Sequence, residues 1–382
     1  TQSTLGLWQT KSPRSCDLSQ SRQHRPAHTN STTTYMSLQS AWEQALHLLE
    51  GKRDLDITLS RQVMEEILSG ARSEAEISTF LTLHTAKGGS AHEVSGFIEA
   101  MYTHAAPITV TMRAVDTVGT GGDGFHTINI STASAIVAAA AGARVVKHGN
   151  RAATSQSGAA DVLEALEVKI DLDGKQVAEL VEDIGIGFCF APMFHSAMRH
   201  AAPARKSLGF PTIFNILGPL SNPAKPSAYA IGVAKAEMFP IVAEVLRARG
   251  VDALVFRGRE GLDEISLSQP TEIYLIGGGE LRLTEIDPSE WGIKRSTLEE
   301  LRGGSAQVNA EHLRQILTGK SGAMRDVVLL NAAAALIAFE GVTPEDEIAP
   351  RFRAAIAKVS EAIDSGAAAT LLDRWAKRSH QV

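Results

Sequence analysis

The spacing of apolar residues changes character at Pro107, and that change divides the chain into two kinds of folding unit. Upstream, from Ser37 to about Ala106, apolar side chains recur at helical intervals: Trp42, Ala45, Leu48 and Leu49; Val63, Ile67 and Leu68; Ile77, Phe80 and Leu81; Val94, Phe97, Ile98 and Met101. Polar joints containing Asp54, Ser73 and Gly88-Gly89-Ser90 separate these runs. Ser73 with Glu76 and Ser90 with Glu93 each fit a capping box. The pattern predicts a small all-helical unit over 36–107.

Downstream, β-rich runs alternate with Ala- and Leu-rich helical stretches. Strands are expected near Thr109 to Val118, Arg144 to Lys147, Phe188 to Phe190, Thr212 to Phe214, Ala228 to Gly232 and Ala253 to Arg257. Helices are expected near Thr132 to Ala141, Ser157 to Leu166, Asp173 to Ile184, Ala236 to Ala248, Met324 to Phe339 and Pro350 to Ser365. Such alternation implies an α/β unit with a mainly parallel central sheet covered by helices. The segment around 192–211 reads as helical and is expected to return to the helical unit. The α/β unit then comprises 108–191 and 212–382. Residues 1–35 are rich in Ser, Thr, Gln and Arg with Asp17 as their single acid, and are expected to be disordered. Their composition fits either an extension upstream of a start at Met36 or a plastid-targeting segment on an otherwise cytoplasmic protein.

A formal net charge of -6 argues against a nucleic-acid partner, which normally meets a basic surface. The two cysteines, Cys16 and Cys189, have no CxxC or Cys/His spacing, so neither a disulfide framework nor a zinc site is indicated. The apolar run Ile136 to Val146 is broken by Gly142 and Arg144, and no run reaches the ~18 residues of a membrane span.

Against this background, three anion-handling motifs lie close together. Gly119-Thr120-Gly121-Gly122-Asp123-Gly124 is a glycine loop whose backbone N–H groups can close around phosphate oxygens. Asn129-Ile130-Ser131-Thr132 opens an Ala-rich helix, where Ser or Thr is expected as N-cap and the helix dipole favours an anion. Lys147-His148-Gly149-Asn150-Arg151 follows a strand, and ligands bind at the carboxyl ends of parallel strands. Ser155 and Ser157 ahead of the next helix add further donors. The glycine loop also fits G-x-G-x-x-G, but the helix opens too late, and the next strand ends in Lys147 and His148 rather than an acid, which disfavours a dinucleotide.

Asp123 is the odd member of this set, because a bare carboxylate beside a diphosphate is repelled by about 1–4 kcal/mol per charge pair at 4 Å. It is tolerable if a sugar hydroxyl donates to it or if Mg2+ lies between the charges. Farther on, Gly261-Leu262-Asp263-Glu264-Ile265-Ser266 supplies adjacent carboxylates, a candidate magnesium anchor.

Taken in order, GTGGDG, NIST, KHGNR, SGAADVLEAL, APMFHSAMRHAAPARKSLG, TIFNILGPLSNPA and GLDEIS resemble the anthranilate phosphoribosyltransferase family, from about Ser37 to the C-terminus. The resemblance implies a nucleoside phosphorylase/phosphoribosyltransferase-like fold, usually a homodimer. It further implies transfer of a phosphoribosyl group from 5-phosphoribosyl 1-diphosphate to anthranilate with Mg2+, in tryptophan biosynthesis. By position, Gly119, Gly122, Asp123, Thr127, Asn129, Ile130, Ser131, Thr132, Lys147, Asn150, Arg151, Ser155 and Ala159 would hold the donor. Gly119, Asn150 and Arg205 would hold anthranilate, Ser131, Asp263 and Glu264 would hold the metal, and Lys147 and His148 would act in catalysis, His148 as a positioner first and a base second. Four positions depart from the family pattern: Pro211, Gln156, Glu167 and Arg257. A pyrimidine nucleoside phosphorylase is the nearest enzyme rival, and a nucleic-acid-binding paralogue of the same fold is the rival from another class. The first typically has a different Lys-His-Ser-Thr-Gly-Gly loop order and lacks the acidic pair; the second should be basic.

Overall fold

The computed structural model describes residues 40–152 and 156–382; the expected extension over 1–35 lies outside them. Four helices come first: α1 (Ala41–Glu50), α2 (Ile57–Leu68), α3 (Glu74–Lys87) and α4 (Ala91–Thr103). Each opens on a side chain that accepts a backbone N–H, with capping boxes at Ser40, Ser73 and Ser90 and an aspartate cap at Asp56. Trp42, Val63, Ile77, Phe80 and Phe97 are buried as their spacing requires. The crossing of α2 and α4 depends on Gly96, where a Cβ would lie 2.3 Å from the Ile57 carbonyl oxygen.

The rest of the chain runs β1 (Val115–Gly119), α5 (Ile130–Ala140), β2 (Val145–Gly149), α6 (Ala159–Ala165), α7 (Gly174–Ile184), β3 (Ile186–Phe190), α8 (Ala191–Phe194), α9 (Ala202–Leu208), α10 (Phe214–Leu220), β4 (Ala228–Gly232), α11 (Phe239–Ala248), β5 (Asp252–Gly258), β6 (Thr271–Gly277), β7 (Glu280–Ile286), α12 (Ala306–Leu317), α13 (Ala323–Glu340), α14 (Ile348–Asp364) and α15 (Ala367–Ser379). The strands form one sheet in the order β3-β2-β1-β4-β5-β6-β7. Neighbours from β3 to β5 are parallel, whereas β6 and β7 continue the edge as an antiparallel hairpin.

Strand pleating divides the core between the two sheet faces. Ala230 of β4 and Leu254 and Phe256 of β5 join the core beneath α5 and α13. Tyr229, Ile231 and Val255 point the other way, into a core shared with α1–α4, α10 and α11. Residues Ala201 and Ala204, at and within α9, are buried in this second core, and α9 packs against α3.

Two expectations need correction. The stretch Thr212 to Phe214 is no strand but the entry to α10: Thr212 N–H donates to Asn215 Oδ1, and Asn215 N–H returns to the Thr212 carbonyl. A short apolar run does not by itself distinguish strand from buried helix. Within Thr109 to Val118, strand begins only at Val115. The hairpin β6–β7 was not expected, although Gly278 and Gly279, at φ +60° and +82°, form the two-residue turn that favours such a connection.

Candidate active site

The carboxyl ends of β1, β2, β4 and β5 meet at one place. Gly119 at the end of β1 and Gly232 at the end of β4 both lack the Cβ that would strike Asp263, at 2.3 Å from its Oδ2 and 1.7 Å from its backbone oxygen respectively. These two close approaches let the loop after β5 lie against the glycine turn. There Gly121 N–H donates to Asp263 Oδ2 at 2.6 Å. Gly121, Gly122 and Gly124 have φ values of +70°, +80° and +79°, with nothing within 4 Å of where a side chain would stand. The turn therefore needs glycine for its backbone and leaves its outer side open. Asp123 folds back, accepting the Phe125 N–H at 3.2 Å.

Asp263 and Glu264 are buried. Burial, then the neighbouring Asp123 charge, raises the Asp263 carboxyl to about 7, with the Gly121 N–H pulling the other way. Glu264 is pushed well above the usual carboxylate range by burial and by Asp263, opposed by Lys147 and by the N–H of Ser131. Like charges thus face one another with too few donors, an arrangement that a divalent cation would relieve. Among the described residues no group of three or more His, Cys, Asp or Glu side chains could hold a metal ion. What the pair offers is two carboxylates, a number with which Mg2+ can be held when substrate phosphates also contribute.

Ser131 connects this acidic pair to the basic corner. Lys147 Nζ donates to Ser131 Oγ at 3.2 Å and to the Thr117 carbonyl at 2.6 Å. Burial lowers the Lys147 pKa, opposed by Asp116 and Glu264. The N-cap of α5 is Asn129, not the expected Ser131 or Thr132, and its side chain makes no capping bond. Its amide instead donates to the Ser157 carbonyl at 3.1 Å and accepts from Asn309 at 2.8 Å. Ile130 and Thr132 N–H turn back to the Ile128 and Asn129 carbonyls, while the buried Thr132 Oγ1 has no partner. Thr127 is held from behind by a bridge to Arg302.

His148 and Lys147 are adjacent on β2 and so serve opposite faces of the sheet. His148 Nδ1 lies 3.0 Å from the Gly218 carbonyl, its ring stands edge-on to His195 at 5.3 Å, and its buried Nε2 has no partner. Burial, with His195, lowers its pKa to about 3, which leaves the ring neutral. On that face too, Arg205 of α9 stacks over Phe214 at 5.3 Å and forms no ion pair among the described residues. Burial lowers its pKa, as expected for a cation without a counter-charge.

The second half of the basic corner is arranged differently from the expectation of a donor-rich anion site. Arg151 pairs with Asp161 at 2.9 Å and with Glu164 at 2.5 Å. Asp161 also accepts the N–H groups of Ala152 and Gly158, so donors at the start of α6, where Ala159 stands, are already engaged. Asn150 is exposed, and its Oδ1 accepts the Arg151 N–H. Ser155 lies outside the described residues.

Of the departures from the family pattern, Glu167 has φ +66°, a conformation glycine adopts without strain. Arg257 Nε donates to the Ala234 carbonyl at 3.1 Å, Gln156 lines a small cavity with Asn309, and Pro211 is exposed. Several supporting residues escaped the sequence reading. Asn331 of α13 brackets the acidic loop, accepting Ile265 N–H at 2.9 Å and donating to its carbonyl at 3.2 Å. Asn309 links Asn129 to Gly304. Asp116 and Asn222 lie between β1 and β2. Asn331 stood out as a lone polar residue in an apolar helical stretch, whereas Asn309 and Asn222 sit among other polar residues and gave no such signal.

The chain matches the helical bundle domain of a glycosyl transferase family over residues 45–105 and the a/b domain of that family over residues 111–369. It is 50% identical over 346 residues to the anthranilate phosphoribosyltransferase of Saccharopolyspora erythraea, covering 91% of this chain and 98% of the relative. It is 49% identical over 338 residues to the Nocardioides sp. protein of the same name, covering 88% and 98%. Among solved structures, anthranilate phosphoribosyltransferase from Thermus thermophilus matches with a TM-score of 0.81 at 38% identity, over 88% of this chain and 99% of that one. The Saccharomyces cerevisiae enzyme in complex with PRPP and Mg matches with a TM-score of 0.80 at 27% identity, over 89% and 98%.

Proposed function

The chain belongs to the anthranilate phosphoribosyltransferase family, and we propose that the cleft at the carboxyl ends of β1, β2, β4 and β5 carries the family's reaction in this protein. That reaction transfers the phosphoribosyl group of 5-phosphoribosyl 1-diphosphate to the amine of anthranilate and releases pyrophosphate, a step of tryptophan biosynthesis. One observation supports the assignment of residues: a chain of contacts, the Gly121–Asp263 hydrogen bond, the Ser131 N–H on Glu264 and the Lys147–Ser131 contact, links the glycine turn, the acidic pair and Lys147.

As the C1–O bond of the donor breaks, negative charge grows on the departing diphosphate and oxocarbenium character on the ribose. Residues aimed at the diphosphate then contribute most. The turn at Gly122 with its open outer side, the Ser131 and Thr132 hydroxyls at the start of α5 and the Lys147 ammonium are suited to that charge, and Asp123 to a ribose hydroxyl. Ser131, Asp263 and Glu264 would hold Mg2+, which when bound supplies charge neutralisation for the diphosphate. The uncompensated guanidinium of Arg205 suits the anthranilate carboxylate, and Asn150 and Gly119 are assigned to the same ligand. His148, neutral with a free buried Nε2, orients the acceptor; its pKa near 3 makes it a poor general base.

Supported by the packing of α9 on α3, the domains are 36–107 with 192–211, and 108–191 with 212–382. The protein acts in the cytoplasm as a homodimer; light scattering in solution tests the latter. Among the described residues no helix is long and apolar enough to cross a membrane. The activity is tested by incubating protein, donor, Mg2+ and anthranilate and following loss of anthranilate fluorescence. Turnover that stops when Mg2+ is omitted supports the reading, and phosphorolysis of thymidine or uridine in its place would overturn it.

A further inference from the structure

The parallel ladder between β1 and β2 begins at Val115–Val145 and goes no further, although each strand pairs along all five residues with its other neighbour. Backbone groups facing a buried gap must find partners, and here side chains supply them. His148 N–H donates to Asp116 Oδ1 at 3.1 Å, and the Val146 carbonyl accepts Asn222 Nδ2–H at 2.8 Å. The Thr117 carbonyl accepts Lys147 Nζ–H at 2.6 Å, and Thr117 N–H reaches the Asp116 carboxylate. Asn222 Nδ2 also donates to Asp116 Oδ2 at 2.9 Å, so the wedge is internally bonded. All three wedge side chains are buried.

We propose that Asp116, braced by Asn222, is a positioning residue for the transfer reaction: it holds the strands apart and fixes the Lys147 ammonium in the gap, aimed at Ser131 and the leaving diphosphate. The geometry supports this over a role in strand pairing alone. A continuous backbone ladder would satisfy Thr117, Val146 and His148 without any buried charge, but it would leave no place for the Lys147 head. Asp116 meets neither substrate nor metal in this arrangement and acts through Lys147. The inference rests on the transferase reading above.

The test is a double-mutant cycle on the full chain, with kcat, anthranilate KM and thermal midpoint read for each protein. Asp116→Asn should lower kcat by about 30- to 100-fold, the scale of a small misplacement, with anthranilate KM changed less than threefold. In a Lys147→Met background the same change should lower kcat less than threefold further, because the group it positions is gone. Each single variant strands one buried charge, so the double variant should melt higher than either. An equal kcat loss in both backgrounds, a rise in anthranilate KM that accounts for the loss, or a double variant that fails to fold while Lys147→Met folds would overturn the proposal. A wild-type protein inactive toward anthranilate would instead defeat the transferase reading, and the melting comparison would still judge whether the Asp116 and Lys147 charges act on each other across the gap.

Discussion

Two buried carboxylate sites in this molecule have opposite electrostatics. In the helical unit, Glu93 is fully buried yet well served: its carboxylate accepts the N–H groups of Leu55 and Ser90 and the Lys87 ammonium, and His84 Nε2 lies 3.5 Å away. Burial opposes ionisation there, but His84, Lys87 and the Leu55 N–H outweigh it and hold the pKa down at about 2. In the candidate site, Asp263 and Glu264 are also buried but face Asp123 and each other, and their pKa values move up. The first site stabilises the fold; the second is tolerated at a cost, as expected where a charged ligand completes the arrangement.

The contrast can be broken most forcefully at the acidic pair. Asp263→Asn with Glu264→Gln should reduce turnover by at least about 10³-fold, the scale seen on removing a group that stabilises developing charge. The same variant should gain about 1–3 kcal/mol of unfolding free energy at pH 8 without metal, since poorly compensated buried charges are replaced by neutral groups. A loss of stability would mean that the pair belongs to the scaffold. Next in size, Glu93→Gln should cost about 3 kcal/mol in urea denaturation, because it leaves the Lys87 charge buried with only exposed Asp54 opposite. Turnover per folded molecule should be unchanged.

The two sites should also respond to pH with opposite sign. The folded pKa of Glu93 lies below its ordinary 4.5, so its contribution is complete above that value and is lost as pH falls toward 2. The folded pKa of Asp263 lies above its ordinary 3.8, so its penalty sets in as pH rises past that value and is complete beyond about 7. Unfolding free energies of the two single variants, measured between pH 3 and 8, should therefore both depart from wild type as pH rises, with opposite sign: Glu93→Gln falls below it, with its full deficit reached above about 4.5, and Asp263→Asn rises above it, with its full gain reached only beyond about 7. The smallest effect lies outside both sites. Glu167→Gly should relieve a left-handed backbone and add about 0.5–1 kcal/mol of stability without altering kinetics.

Much of this was legible in the sequence for a physical reason: wherever one residue pattern has one cheap structural solution, the reading holds. The capping boxes at Ser73 and Ser90 and the strand Ala228–Gly232 are of this kind. The run Thr212 to Phe214 has two solutions, and only Asn215 and the surrounding core decide between them. In the site, the glycine turn and the acidic pair became readable only beside the neighbouring motifs, since either pattern alone is as often an ordinary turn or a solvated loop. Arg151 did not, because its partners Asp161 and Glu164 lie one helix onward and read there as ordinary surface acids. Asp116 read as one more strand residue, since a missing ladder is a property of two strands together.

The central claim is that glycine turn, basic corner and acidic pair form one receptor for a magnesium diphosphate. Calorimetric titration of pyrophosphate into the protein, with and without Mg2+, tests it most directly. Wild type should bind only with Mg2+ and release protons at pH 7 as Asp263 ionises, and the Asp263→Asn, Glu264→Gln variant should lose both the binding and the proton release. Binding of equal strength by that variant would contradict the account.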